Sequence, residues 1–214
     1  MRTLSFRLLL ALATVVSLTA KGQDLDYPDY RSKKDNFSKV SEKDIRADLA
    51  SFALAGVDES IGKAQLNSVS VKDVSGNTMT FDDGKIQVTI RTGVFFPSKH
   101  KMMYMEKHLV RIDNHPYYGG TYGEAPQTTI ESITVVVGRD TVALPPAAYS
   151  DLYDPQFSFN QSGSTRSRNG VFLSNDKHTF YIYMLNINGG GSEFTWVIRD
   201  KQFLRRVVDF GFLK

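Results

Sequence analysis

The sequence predicts a mainly β protein, an antiparallel β-sandwich or curled sheet with one N-terminal helix. Three observations carry this. From Leu66 onward apolar residues recur at every second position, punctuated by turn residues at short intervals. One segment, Ser41 to Ala55, has helical spacing instead. Repeated βα units with phosphate-loop glycines, the mark of a parallel α/β fold, do not occur.

In the helical segment, Ile45, Leu49 and Phe52 form one apolar stripe, and Ala47, Ala50 and Ala53 add propensity without bulk. Ser41 and Asp44 have the spacing of a capping box, and Gly56 is placed to stop the helix. Strand signals follow. Val69 and Val71 alternate with polar neighbours, Ser75-Gly76-Asn77 turns the chain, and Met79 and Phe81 return. After Asp82-Asp83-Gly84, Ile86, Val88 and Ile90 alternate with Gln87, Thr89 and Arg91. Met103 to Ile112 reads as a further strand or partly buried hairpin, with Met103, Met105 and Leu109 inward as core filler.

Residues 113–127 hold glycine, proline and three tyrosines, and read as a structured loop. Strands resume at Ile130 to Val137 and Thr141 to Leu144, which Pro145 and Pro146 end. Ala147 to Tyr153 fits a short helical turn, and Asp154 to Gly170 a long surface loop. Val171 to Leu173 then leads into Thr179 to Ile187. Here Phe180, Ile182 and Met184 face one way and Tyr181, Tyr183 and Leu185 the other. Both faces are apolar, so this strand is expected to be central and covered on both sides. Asn188-Gly189-Gly190-Gly191 connects it to a returning strand with Phe194, Trp196 and Ile198, and Phe203 to Phe210 closes the pattern.

The first residues read as an export signal. Arg2 and Arg7 precede an apolar stretch from Leu8 to Leu18, and Ala20 and Gly22 offer the small residues a signal peptidase needs. The stretch is shorter than the roughly 20 residues a spanning helix requires. The organisation expected is a signal peptide over 1–22, an irregular N-terminal arm over 23–40 and a single β-rich domain over 41–214. The expected destination is the periplasm or the extracellular space. Without cysteine, lipobox anchoring, thiol chemistry and zinc–thiolate sites are excluded. Removing Arg2, Arg7 and Lys21 with the signal leaves 23 Lys and Arg against 23 Asp and Glu. A near-neutral mature chain lacks the positive charge that nucleic-acid binding needs. No cofactor is expected.

The residues best suited to hold a ligand are His115, Tyr117, Tyr118, Tyr122 and Glu124, in the loop 113–127. Tyrosine joins rigid apolar area to a hydroxyl, and loops on a rigid sheet commonly carry binding. Other constellations are weaker. His100, Met102, Met103, Met105 and His108 offer soft-metal ligands, but the two histidines lie far apart unless the chain bends. Asp151, Asp154 and Asp176 are oxygen donors without EF-hand spacing. Glu124 and Asp151 would serve hydrolysis only if the fold pairs them, and there is no GxSxG or HExxH motif. Arg166, Arg168, Arg205 and Arg206 could meet an anion. Alternation puts the last two on opposite faces, as solvated or edge charges. The sequence therefore points to an exported non-catalytic binding domain for a glycan, peptide or envelope protein. A carboxylate-based hydrolase and a structural or assembly component of the envelope are the alternatives.

Overall fold

A computed structural model describes residue 37, residues 40–187 and residues 191–209. The expected signal segment, nearly all of the arm 23–40, the 188–190 connection and Phe210 lie outside the described residues. Along the chain the strands are β1 (Asn67–Val69), β2 (Val71–Ser75), β3 (Thr78–Asp82), β4 (Ile86–Val94), β5 (Met102–Met105), β6 (His108–Ile112), β7 (Tyr118–Gly119) and β8 (Thr128–Val137). They continue as β9 (Asp140–Val142), β10 (Leu152–Tyr153), β11 (Phe159–Gln161), β12 (Ser164–Arg166), β13 (Gly170–Leu173), β14 (Thr179–Asn186), β15 (Ser192–Arg199) and β16 (Gln202–Asp209).

Among the described residues two main sheets form. One has the order β1-β13-β14-β15-β16; the other runs β2-β3-β4-β8-β10-β7, with β9 also beside β8. Pairing is antiparallel except between β10 and β7. Met79, Phe81, Val88, Ile90, Ile133 and Val135 of the second sheet meet Val171, Phe180, Ile182, Met184, Phe194, Trp196 and Ile198 of the first in one buried core. This is the expected β-sandwich. Strand β14 is buried along its whole length, and its two faces divide as the alternation predicts. Phe180, Ile182 and Met184 enter the sandwich core, while Tyr181, Tyr183 and Leu185 face outward. Register confirms the return strand: Phe180 lies opposite Ile198, Ile182 opposite Trp196 and Met184 opposite Phe194.

The outer face of the first sheet is covered by the helix. Ile45, Leu49 and Ala50 pack on Tyr181, Val197 and Val207, and the Tyr181 hydroxyl donates to Asp48 at 2.7 Å. Phe52 stacks on Phe172 with ring centroids 4.2 Å apart. The helix itself spans only Lys43–Leu49, shorter than the expected Ser41 to Ala55. The reason lies in β15. The Glu193 carboxylate accepts the N–H groups of Leu54 at 2.8 Å and Ala55 at 3.1 Å. A continuing helix would have given those groups to carbonyls four residues back, so the chain turns into a 3-10 helix at Leu54–Gly56 instead. Glu193 also accepts from the Tyr183 hydroxyl at 3.0 Å. Burial nevertheless pushes its carboxyl above the usual range. The expected capping box is absent too. Ser41 donates to Glu42, Asp44 is taken by Arg199, and the N-cap has no side-chain hydrogen bond.

Three further expectations change. Residues 154–170 are not one open loop: β11 and β12 form a small hairpin through Ser162 and Gly163, both left-handed at φ 50 and φ 80. Arg168 lies over the Phe159 ring at 4.7 Å. Residues 147–153 give a 3-10 turn at Pro146–Ala148 and then β10. Arg205 and Arg206 do lie on opposite sides of β16, but each is internally paired. Arg205 reaches Glu42 at 2.6 Å, and Arg206 holds Asp151 through both terminal nitrogens at 2.5 and 2.8 Å. None of the helices among the described residues is long and apolar enough to cross a membrane.

Candidate functional site

One end of the sandwich carries an additional small hairpin. Among the described residues, strands β5 and β6 pair only with each other, around a two-residue loop in which Glu106 is left-handed at φ 55. The hairpin is seated by a local apolar cluster of Phe95, Leu109, Ile112 and Tyr153, with Met102 and Tyr117 against it. Phe95 stacks on His100 at 4.6 Å and meets Tyr153 edge-on at 5.2 Å. The expected inward side chains divide: Leu109 is buried, but Met103 and Met105 are exposed. They cannot fill the core because the hairpin is paired to neither main sheet.

Asp113 clamps the hairpin base. It accepts from the Lys101 N–H at 2.7 Å and pairs with His100 Nδ1 at 2.7 Å, while its own N–H donates to the Lys101 carbonyl. The His100 hydrogen bond, reinforced by the Lys101 N–H, holds the Asp113 carboxyl below its ordinary range against a smaller effect of burial. A lowered folded pKa gives stability that is present above the ordinary carboxylate value and lost as pH falls through the folded one. Asp113→Ala is therefore expected to speed amide exchange across residues 102–112 about tenfold at neutral pH. Wild type should approach the variant in acid. Unchanged exchange at neutral pH would show that the apolar seat alone holds the hairpin.

The loop 113–127 is stitched to this hairpin. The Leu109 N–H donates to the Gly123 carbonyl at 2.8 Å, and the Tyr117 hydroxyl donates to the Leu109 carbonyl at 3.1 Å. Tyr122 is 76% exposed and its ring lies 5.4 Å from that of His108. Burial raises the pKa of the Tyr117 hydroxyl, and the neighbouring phenols of Tyr104 and Tyr122 push it the same way. Two chain segments thus gather Tyr104, Tyr117, Tyr122 and His108 around this end of the hairpin. Tyr104 and His108 were not in the loop-borne set that the sequence suggests. The sequence offers His108 only as a soft-metal ligand and gives Tyr104 no role, because only the hairpin bend at Glu106 and Lys107 carries them toward the loop.

The other expected site residues go elsewhere. Tyr118 is buried in the sandwich core, edge-on to Phe194 at 5.4 Å. It begins the parallel bridge to β10, where Gly119 (φ 90) comes so near that a Cβ would sit 2.0 Å from the Tyr153 carbonyl oxygen. His115 is exposed and bridges back to Ile112 through its backbone. Glu124 lines a separate polar depression of about 370 Å³ with Gly120, Thr121, Gln127, Thr128 and Asp154. There the Asp154 carboxylate accepts the N–H groups of Gln127 and Thr128 and the Thr128 hydroxyl, which makes it a brace for the start of β8.

Asp151 does not line that depression; Arg206 holds both of its carboxylate oxygens. Asp151 and Asp154 likewise have separate partners, and Asp176 ties the β13–β14 turn by accepting from His178 and Thr179. His100 and His108 lie at the base and the tip of the hairpin respectively. Among the described residues no group of three or more His, Asp or Glu is placed to hold a metal ion. Compared with family models, with curated proteins and with solved structures, the chain finds no match.

Proposed function

We propose that the chain is an exported, non-catalytic binding domain that takes a glycan, peptide or envelope-protein partner on the surface of Tyr104, Tyr117, Tyr122 and His108. The observation that supports this reading is the convergence of those aromatic side chains, from two segments, on a seat fixed by packing and hydrogen bonds. Tyrosine contributes large contact area at small entropic cost and a hydroxyl that can bond to sugar or amide groups. Tyr117 packs on the seat and bonds to the Leu109 carbonyl, which preorganises that ring and lowers the ordering cost of association. Three carboxylates near this end are engaged in bracing: Asp113 with His100, Asp151 with Arg206, and Asp154 with the start of β8.

The test is binding of the purified chain to a glycan array and an immobilised peptide library, compared with Tyr104→Ala/Tyr122→Ala. Both side chains are half-exposed or more, so the thermal midpoint should stay within about 2 °C of wild type. Affinity for a bound ligand should fall about tenfold or more. Ligands held equally well by both proteins would place the contact surface elsewhere.

A further inference from the structure

The hairpin and the segment leading into it also carry exposed apolar side chains. Met105 is 69% exposed, Phe96 49% and Met103 40%. Unpaired hydrocarbon of this kind is ordinary when scattered singly and informative when gathered at one protrusion. Met103 and Met105 lie on β5 of a hairpin paired with neither main sheet, and Phe96 follows Phe95 of the cluster that seats it. Charge follows the same segment. Residues 94–112 hold Lys99, Lys101, Lys107 and Arg111 against one acid, Glu106. All four cations are exposed, and among the described residues none is in an ion pair. Without the expected signal segment, the rest of the chain holds 19 Lys and Arg against 22 Asp and Glu, so this excess is local.

We propose that the β5–β6 hairpin docks on the surface of an anionic lipid bilayer. Met103, Met105 and Phe96 enter the boundary between headgroups and acyl chains, and Lys99, Lys101, Lys107 and Arg111 lie against the lipid phosphates. Charge selects this partner: exposed thioethers and a phenyl ring among four exposed cations match an apolar interface faced with phosphates. Flexible thioethers adapt to such a medium. Lys99 already lies over the Phe96 ring, with its ammonium 4.7 Å from the centroid, the arrangement in which an apolar body sinks while the charged head stays with the phosphates. Polybasic segments are drawn to anionic leaflets, and one weak apolar anchor combined with such a segment gives useful adhesion. This docking would hold the binding domain at a membrane.

The test is co-sedimentation of the purified chain with vesicles of phosphatidylcholine alone and of phosphatidylcholine mixed with phosphatidylglycerol. Wild type is expected to partition at least about tenfold more strongly onto the anionic vesicles, and to leave them as salt is raised. Met103→Ser/Met105→Ser and Lys99→Gln/Lys101→Gln/Lys107→Gln should each lower that partition about tenfold or more. These side chains are exposed, and an unchanged circular dichroism melt would confirm folding. Tyr122→Ala should bind vesicles as wild type does, which separates this docking from the tyrosine surface. Equal partition onto both vesicle types, no sedimentation at low salt, or full binding by either multiple variant would overturn the proposal. Ligand binding that depends on Tyr122 without any vesicle binding would overturn it too, while leaving the tyrosine surface standing.

Discussion

Trp196→Ala is expected to lower the unfolding free energy by about 3–5 kcal/mol, a large share of the roughly 5–15 kcal/mol that holds a typical domain. Trp196 is fully buried, sits opposite Ile182 across β14 and β15, and stacks near Phe194 in the middle of the sandwich core. Removing the indole opens a cavity between two sheets whose backbones are fixed by ladder hydrogen bonds and cannot collapse to fill it. Its Nε1–H also donates to the Ala148 carbonyl at 2.7 Å, which ties the 3-10 turn after Pro145 to the first sheet. That carbonyl keeps a second donor, Arg206, at 3.1 Å. Trp196→Phe, which keeps most of the ring and drops only the N–H, should therefore cost much less, about 1–2 kcal/mol. Urea denaturation at neutral pH reads both. A Trp196→Ala loss under about 1.5 kcal/mol, or a phenylalanine variant as damaged as the alanine one, would mean that cavity formation is not the dominant cost.

What could be read from the sequence follows from how local each determinant is. The two-faced pattern of Phe180 to Leu185 specifies a strand covered on both sides, because alternation is a property of the strand itself. Phe194, Trp196 and Ile198 then follow as its partner, since a short glycine-rich connection leaves only the antiparallel return. The helix's apolar stripe was equally legible. Its end was not, because Glu193, far along the chain, takes the N–H groups of Leu54 and Ala55. The candidate surface divides in the same way. Tyr117 and Tyr122 stand out as aromatic residues in a glycine-rich loop. Tyr104 does not, and His108, Met103 and Met105 read as soft-metal ligands or core filler, because their environment is set by a hairpin that leaves both main sheets. Tyr118 has the same composition signal as its neighbours and is buried in the core, because β7 pairs with β10. Arg206 reads as an edge charge from its own strand, and only the fold brings Asp151 beneath it.

That last pair gives the second large expected effect. Arg206 and Asp151 are 11% and 14% exposed, joined by two short hydrogen bonds, and the guanidinium lies 5.8 Å from the centre of the Tyr118 ring. Arg206→Met should cost about 3 kcal/mol, because it leaves the Asp151 carboxylate poorly solvated and without its cation. Asp151→Leu should cost a similar amount for the converse reason. The double variant should be far less damaged than the sum of the two, since replacing a mostly buried pair with apolar side chains removes both desolvation penalties at once. A coupling energy of about 2 kcal/mol or more from the four-protein cycle is the expected result. Additive losses would show that Arg206 acts through its contacts with Ala148 and Tyr118 rather than through Asp151. The effect should also reach the candidate surface. The Asp151 carbonyl accepts the Tyr118 N–H at 2.9 Å, and Tyr118 and Gly119 pair with Leu152 and Tyr153. Tyr153 in turn belongs to the cluster that seats the hairpin. Loosening the ion pair therefore loosens the platform beneath Tyr117 and Tyr122. Amide exchange in residues 117–123 should rise in Arg206→Met before global unfolding is reached, and should return toward wild type in the double variant.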